Sequence, residues 1–400
     1  MATLPVVALE IGTAKVCTLV GEVREDGNIL ITGIGQTPSF GVRKGQVVNL
    51  EKVVECVRIA IQGAEEIGQV DIREVNLVVA GGDIQSLVNP GCVPVFDASL
   101  GVTQDDISEV MQIARTVNLP PDREILHSIA QKYSVDFQTG ILNPEKMQGS
   151  RLSLDMLIMH GSRSLLGHFV NAVHNLGLDV TDIAYAGLCA ALATLTPEQK
   201  ECGALLLDLG AGTTSYIVYA DEVIADAGVL AVGGDHITND IAQGFNLPLK
   251  RAENLKHNSG TAILEENASF QRITIPAEVG FSACSVSAMD LYMIIYARVE
   301  EIFMLVQQNL EKKGLLRQLG AGVILTGGGA KLKGITDAAE RVFDMPCAIG
   351  RPKNFSGMSN AYEGAEYAAP LGMIRYALKN ARQAPDGGIW KGMFKKIMGR

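Results

Sequence analysis

Three short turns, each closing an apolar run, carry the residue types that can hold a polyphosphate: Glu10-Ile-Gly-Thr-Ala-Lys15, Asp208-Leu-Gly-Ala-Gly-Thr-Thr214 and Thr326-Gly-Gly-Gly-Ala-Lys331. The small residues Gly12, Ala14, Gly210, Ala211, Gly212, Gly327, Gly328 and Gly329 let a backbone approach phosphate closely and aim its N–H groups at the oxygens. Thr13, Thr213 and Thr214 add hydroxyl donors, and Lys15 adds a positive charge. Glu10 and Asp208 stand at strand ends, where a carboxylate can hold the water shell of a Mg²⁺ ion that bridges phosphates. Any one of these segments is also what an ordinary tight turn requires. The ordered trio says more, because the first two repeat one pattern and the chain has neither a Walker A lysine motif nor G-x-G-x-x-G.

The elements that must position these turns follow from periodicity. Val6 to Val23 reads as strand, turn and strand, and Leu50 to Ile67 has helical spacing through Val53, Val54, Val57, Ile61 and Ala64. Val75 to Ala80 is a short buried strand. From about Asp83 to Ser162 strand-like pieces (Leu87 to Phe96, Glu124 to Val135, Arg151 to Met159) enclose a helix that starts at Thr103, a compact α+β insert. A helix over Arg163 to Leu176 follows, with Gly177 as its predicted C-cap. The opening pattern then returns, as the strand Ala204 to Asp208, a glycine turn and the strand Ser215 to Tyr219, which indicates an internal duplication. Gly233-Gly234-Asp235 leads into a helical region, and Asp290 to Lys313 is a long helix carrying Tyr292, Ile295, Val299, Ile302, Phe303 and Val306. Gly320 to Thr326 is a further strand, and a last helix near Pro370 to Arg382 gives way to the linker Ala384-Pro-Asp-Gly-Gly388.

Bulk properties bound the answer. A chain of 400 residues divides into two to four lobes, and 47% hydrophobic against 20% charged residues places it with folded chains rather than disordered ones. Seven scattered cysteines without a C-x-x-C pair read as reduced cytosolic thiols, and no metal site made of protein side chains alone is predicted. His168 and His174, six apart, read as surface or core residues. Met1 to Glu10 lacks a basic start and is a poor signal peptide, and no apolar stretch approaches the ~20 residues of a spanning helix.

The net charge of −10 argues against a nucleic-acid partner. Its distribution is uneven: residues 387–400 carry +4, which leaves −14 on residues 1–386. Within that basic end, Ile389, Trp390, Met393, Phe394 and Ile397 gather on one face of a helix, flanked by Lys391, Lys395 and Lys396. A basic amphipathic helix with aromatic residues fits an interfacial anchor on anionic lipid. A terminal helix packed on the body is the alternative. Ten residues span only ~15 Å, so a single copy should bind weakly and self-assembly would supply avidity.

The order of the turns matches the phosphate-1, phosphate-2 and adenosine motifs of actin-like ATPases, and the chain resembles the FtsA family of bacterial cell-division proteins in particular. The resemblance runs through Leu9-Glu-Ile-Gly-Thr-Ala-Lys-Val16, Val20-Gly-Glu-Val23, Leu126-His127, Ala186-Gly-Leu188, Val323-Ile-Leu-Thr-Gly-Gly-Gly-Ala330 and Arg341-Val-Phe343. It implies an α/β, two-lobed, actin-like (ribonuclease H-like, duplicated) ATPase fold with an inserted α+β subdomain. The implied division is residues 1–83 with 163–192 (subdomain 1A, to which 370–382 returns), 84–162 (1C), 193–236 with 315–369 (2A), 237–314 (2B), a linker at 383–388 and a membrane-targeting helix at 389–400.

ATP with Mg²⁺ is the implied ligand, with Gly233, Gly234 and Asp235 also at the nucleotide, Glu253 near the ribose and Lys256 near the base. The family further implies self-polymerisation, binding of the FtsZ C-terminal peptide with Arg298 and Glu301 as candidate contacts, recruitment of later division proteins, and a cytoplasmic, peripheral place on the inner membrane at the division site. A related actin-like ATPase carries Gln or Glu in the helix before phosphate-2 to orient water. Ala184 to Leu195 contains neither, which predicts tight binding with slow or no turnover. A PilM-like pilus-assembly adaptor and a sugar-kinase-like enzyme of the same superfold are the alternatives.

Overall fold

The computed structural model describes residues 5–24, 28–96, 101–264, 266–357 and 363–383. Two sheets of one topology form its centre. In the first, Val6–Ile11, Lys15–Val23 and Ile29–Pro38 make an antiparallel meander, and Glu74–Val79 and Asp179–Tyr185 add on in parallel beside Val6–Ile11. In the second, Ala204–Leu209, Thr214–Ala220 and Val223–Leu230 form the meander, and Val323–Thr326 and Cys347–Ile349 are the parallel strands.

The duplication extends to the turns. The first meander pairs Ile11 with Val16 and the second pairs Leu209 with Thr214, so each hairpin closes over four residues. In each, the first residue's N–H donates to the last residue's carbonyl at 2.9 Å, Gly12 to Lys15 and Gly210 to Thr213.

These strands form because their residues are apolar on both faces and are covered on both. Leu205, Leu206 and Leu207 are fully buried, and they divide between two cores. One core runs from the first sheet to one face of the second, and the other lies between the second sheet and the helices Gly234–Gly244, Leu249–Ser259, Ala288–Lys312 and Ile335–Phe343. The helix Ala186–Thr194 belongs to the first core and is buried all round except at Leu192. A helix in that position has no use for an amphipathic stripe, which is why its periodicity is weak.

Most expected elements appear within two or three residues of their predicted limits, and three differences are informative. Ile29–Pro38 was not anticipated as a strand because Gly33 and Gly35 interrupt its β-pattern. Both glycines press against the helix Leu50–Gly68: a Cβ on Gly35 would stand 1.9 Å from the Ala60 carbonyl oxygen, and one on Gly33 2.6 Å from that of Ala64. Gly35→Ala is therefore expected to destabilise the first lobe by about 1–3 kcal/mol or more through overpacking, read as a fall in the denaturant midpoint. Second, Gly177 is not the cap itself. Arg163–His174 is capped by Asn175, its last turn tightens through Gly177 N–H to the His174 carbonyl at 2.9 Å, and Gly177 (φ +74°) makes the left-handed bend beyond. Third, the strand Asp179–Tyr185 went unread because it opens on polar residues, whereas the helix after it, Ala186–Thr194, falls within the stretch Ala184 to Leu195 matched to the family's helix.

The insert has its own core. Its sheet runs Gln85–Pro94, Arg151–Ser162, Arg123–Val135, Gln138–Ile141, with the helix Gln104–Arg115 on it. That helix starts as predicted, and Thr103 and Asp106 form a reciprocal capping box. Two seams tie the insert to the body. His127 accepts from the Tyr185 N–H at 2.9 Å, and burial pushes its pKa down to about 3, so the ring is neutral. Across the other seam, Gln131 donates to the Ile224 carbonyl at 2.7 Å, and Lys132 pairs with Asp221 at 2.8 Å, both on the second lobe.

Candidate nucleotide cleft

The strand ends of both sheets open into one cavity of about 860 Å³. It is lined by Glu10, Gly12, Thr13, Ala14 and Lys15 from the first sheet, and by Asp208, Gly210, Ala211, Gly212, Thr213 and Thr214 from the second. Gly327, Gly328 and Gly329 line it from the end of Val323–Thr326, and Gly233, Gly234, Glu253 and Lys256 complete it. Of the residues expected at the nucleotide, only Asp235 is missing from the lining. Its backbone is used instead: Asp235 N–H donates to the Ala211 carbonyl at 2.8 Å and Gly234 N–H to that of Gly210 at 3.0 Å, stitching the helix Gly234–Gly244 to the second turn.

The close approaches demand glycine. Gly327 has φ +81°, and a Cβ there would lie 2.3 Å from Asp208 Oδ1. One on Gly233 would lie 2.5 Å from the Gly210 carbonyl oxygen.

Charge at the cleft floor is unbalanced. Lys15 Nζ stands 3.4 Å from Glu10 Oε2, donates to the Glu366 carbonyl at 2.7 Å and lies 4.0 Å above the Tyr367 ring. Burial opposes its charge, but Glu10 together with Cys17 and Tyr367 outweighs burial and leaves its pKa raised. The Asp208 carboxyl lies deep in the cleft, and burial, reinforced by Glu10 and only partly offset by Lys15, pushes it up to about 7. Glu10 Oε2 makes an ion pair without hydrogen-bond geometry, and it and Glu366 Oε2 are buried oxygens with no hydrogen-bond partner. Glu366 is offset by Lys331 through its other oxygen, which leaves Glu10 and Asp208 facing the single lysine Lys15, short of positive charge and suited to a hard divalent cation. Glycine-lined turns and this acceptor-rich floor fit a Mg²⁺–nucleotide.

At the other end, Glu253 pairs with Lys256 at 2.7 Å and His257 at 2.8 Å and also takes the Thr238 hydroxyl. Burial alone would raise its pKa, and these partners outweigh burial and hold it low. Lys256 is buried and also donates to the Gly234 carbonyl at 3.0 Å and the Thr238 hydroxyl at 2.8 Å. It ties two helices together at the cleft wall. Gly45, Glu366 and Tyr367 are at this site without having been singled out, because no local motif surrounds them.

Arg298 and Glu301 lie away from the cleft, on a shallow pocket with Asp240, Gln243, Gly244, Ile294 and Ala297. The Arg298 fork is engaged by Asp240 at 2.6 and 3.0 Å and by Glu301. The anchor residues Ile389, Trp390, Lys391, Met393, Phe394, Lys395, Lys396 and Ile397 and the linker before them lie outside the described residues. No helix among the described residues is long and apolar enough to cross a membrane.

Duplicated sheets with a cleft at their strand ends and an α+β insert define an actin-like, two-lobed protein. Solved structures agree: the chain matches the PilM–PilN type IV pilus biogenesis complex (TM-score 0.66, 17% identity, 93% of this chain and 98% of that one) and MreB 5 of Spiroplasma citri bound to AMPPNP (0.56, 14%, 96% and 99%). At these identities the likeness is one of fold. The family model of cell division protein FtsA matches residues 205–372, and that of the SHS2 domain inserted in FtsA matches 81–160. The chain is 34% identical to cell division protein FtsA of Neisseria meningitidis serogroup B (95% of this chain, 92% of that protein) and 34% identical to that of Escherichia coli K12 (93% and 90%). It belongs to the FtsA family of actin-like cell-division proteins.

Proposed function

We propose that the chain is an ATP-binding scaffold that polymerises, ties the FtsZ ring to the cytoplasmic face of the membrane and recruits later division proteins. One observation carries the nucleotide part: turns from both sheets, 198 residues apart at Glu10 and Asp208, meet in one cleft around two carboxylates and one lysine. Mg²⁺ would neutralise charge between these carboxylates and the phosphates. Glu10 and Asp208 would hold its water shell, the amides of Thr13 and Ala14 and of Ala211 to Thr213 would bind phosphate oxygens, and Lys15 would exchange its Glu366 contact for a phosphate. Glu253 and Lys256 would border the ribose and base, with Gly233 and Gly234 beside the second turn.

Turnover is expected to be slow. The helix Ala186–Thr194, which precedes the short helix Pro197–Cys202 and the strand into the second turn, offers only apolar side chains, a cysteine and a threonine, and its Thr194 hydroxyl is spent on the Ala190 carbonyl at 2.8 Å. Nothing on it can accept a proton from an attacking water. Purified chain with Mg²⁺-ATP should therefore show saturable binding by equilibrium dialysis and hydrolysis well under ~1 s⁻¹. Turnover at the ~1–100 s⁻¹ of kinases would overturn this reading. The membrane part rests on the sequence of the tail, and the FtsZ part on family membership together with the pocket at Arg298 and Glu301.

A further inference from the structure

The hairpin Val42–Val47 belongs to none of the phosphate motifs, yet its tip is wedged between the two phosphate turns. Val42 pairs with Val47 and Arg43 with Gln46, so Lys44 and Gly45 form a two-residue turn, both with positive φ (50° and 67°). Gly45 N–H donates to Thr13 Oγ1 at 3.2 Å. A Cβ on Gly45 would lie 2.4 Å from the Ala80 carbonyl oxygen and 2.9 Å from Thr213 Cγ2, so this position touches both lobes. From the opposite side, a Cβ on Gly212 would lie 2.9 Å from Lys44 Cα and 2.4 Å from Thr13 Oγ1.

Because the Thr13 oxygen accepts from Gly45, its proton is left to donate, and both residues line the cleft. The Arg43 and Lys44 side chains are exposed. Their charges reach across the lobe boundary, Arg43 acting on Asp235 and Lys44 on His236. Thr13 and Gly45 lie where the two phosphate turns meet, while Asp235 feels Lys256 more strongly than Arg43.

Resting on the nucleotide reading of the cleft, we propose that this hairpin distinguishes a triphosphate from a diphosphate. Gly45 positions the Thr13 hydroxyl, and Arg43 and Lys44 supply positive charge where a terminal phosphate adds its negative charge. A diphosphate has no group there to feel either. Because Lys44 and Gly45 also pack on Gly212 and Thr213 of the second lobe, the same contact favours the closed arrangement of the lobes.

The test is competition of ATP and of ADP, each with Mg²⁺, against a fluorescent ADP on the full chain and on the double variant Arg43→Gln/Lys44→Gln. Both substitutions fall on exposed side chains, so the fold should survive; Gly45→Ala is a poorer probe because it strains the turn. The double variant is expected to lose about tenfold in ATP affinity, the scale of one to two charge contacts in a hydrated cleft, with ADP affinity changed less than about twofold. Added salt should lower the ATP-to-ADP ratio of the unaltered chain and leave that of the variant flat. An unchanged ratio, or equal loss of both nucleotides, overturns the proposal while leaving the cleft reading intact. Failure of the unaltered chain to bind either nucleotide overturns both.

Discussion

In Mg²⁺-free buffer at pH 8, Asp208→Asn is expected to melt about 2–12 °C above the unaltered chain, and on addition of Mg²⁺-ATP the order should reverse. The first half follows from linkage. The Asp208 carboxyl is held up to about 7 by burial, next to Glu10, against an ordinary value of 3.8. Between those values the folded chain binds more protons than the unfolded one, so this group's contribution is fully favourable below about pH 4 and is lost as pH rises through about 7. A shift of this size is worth at most ~4 kcal/mol, and water in the cleft reduces it to about 1–3 kcal/mol. At roughly 2–4 °C per kcal/mol for lobes of this size, that gives the stated rise.

The second half follows from mass action. A ligand at 100 times its dissociation constant stabilises by ~2.7 kcal/mol, and an amide that cannot hold the cation's water shell forfeits most of that. Differential scanning fluorimetry of both chains from pH 5 to 8, with and without Mg²⁺-ATP, decides it. A variant that melts no higher than the unaltered chain at pH 8, or one that Mg²⁺-ATP stabilises equally, contradicts the assignment of Asp208.

Truncation after Pro385 is expected to abolish pelleting with vesicles rich in anionic lipid. Residues 1–385 carry −13 and are repelled by such a surface, whereas the tail brings Lys391, Lys395, Lys396 and Arg400, each worth about 1 kcal/mol near it. Trp390→Glu in the full chain should have nearly the same effect, because it places a negative charge among the apolar residues of the tail. Binding of the full chain should weaken as salt shortens the screening length. Equal sedimentation of full and truncated chains would remove the anchor and favour a tail that packs on the protein.

Comparison of elements shows where sequence information is local. The hairpins around Gly12 and Gly210 were legible because a run of buried β-formers, a four-residue turn and a second run are all contiguous. The helix at Gln104–Arg115 was legible through Thr103 at its start and the acids of its first turn, and Gly327 through the strand it terminates. By contrast, the reason for Gly35 lies in the Ala60 carbonyl, and the reason for Gly45 in the Ala80 carbonyl and Thr213. Those demands are set by helix and loop backbones that approach only after folding. Glu366 meets Lys15 across 351 residues, and no spacing rule anticipates that. The Arg298 fork, a candidate for peptide binding, is already engaged by Asp240 from another helix.

The sequence by itself therefore determined the duplicated strand–turn–strand units, the insert, the family and the basic amphipathic tail, because each is a short-range pattern of hydrophobicity, turn chemistry or charge. Tertiary structure alone decided which backbone each glycine must clear, that Asp208 shares a floor with Glu10 and is driven towards the neutral form, and that the hairpin at Lys44 and Gly45 stands between the lobes. Those are properties of distance and burial, and they arise only when segments hundreds of residues apart are brought within a few ångströms.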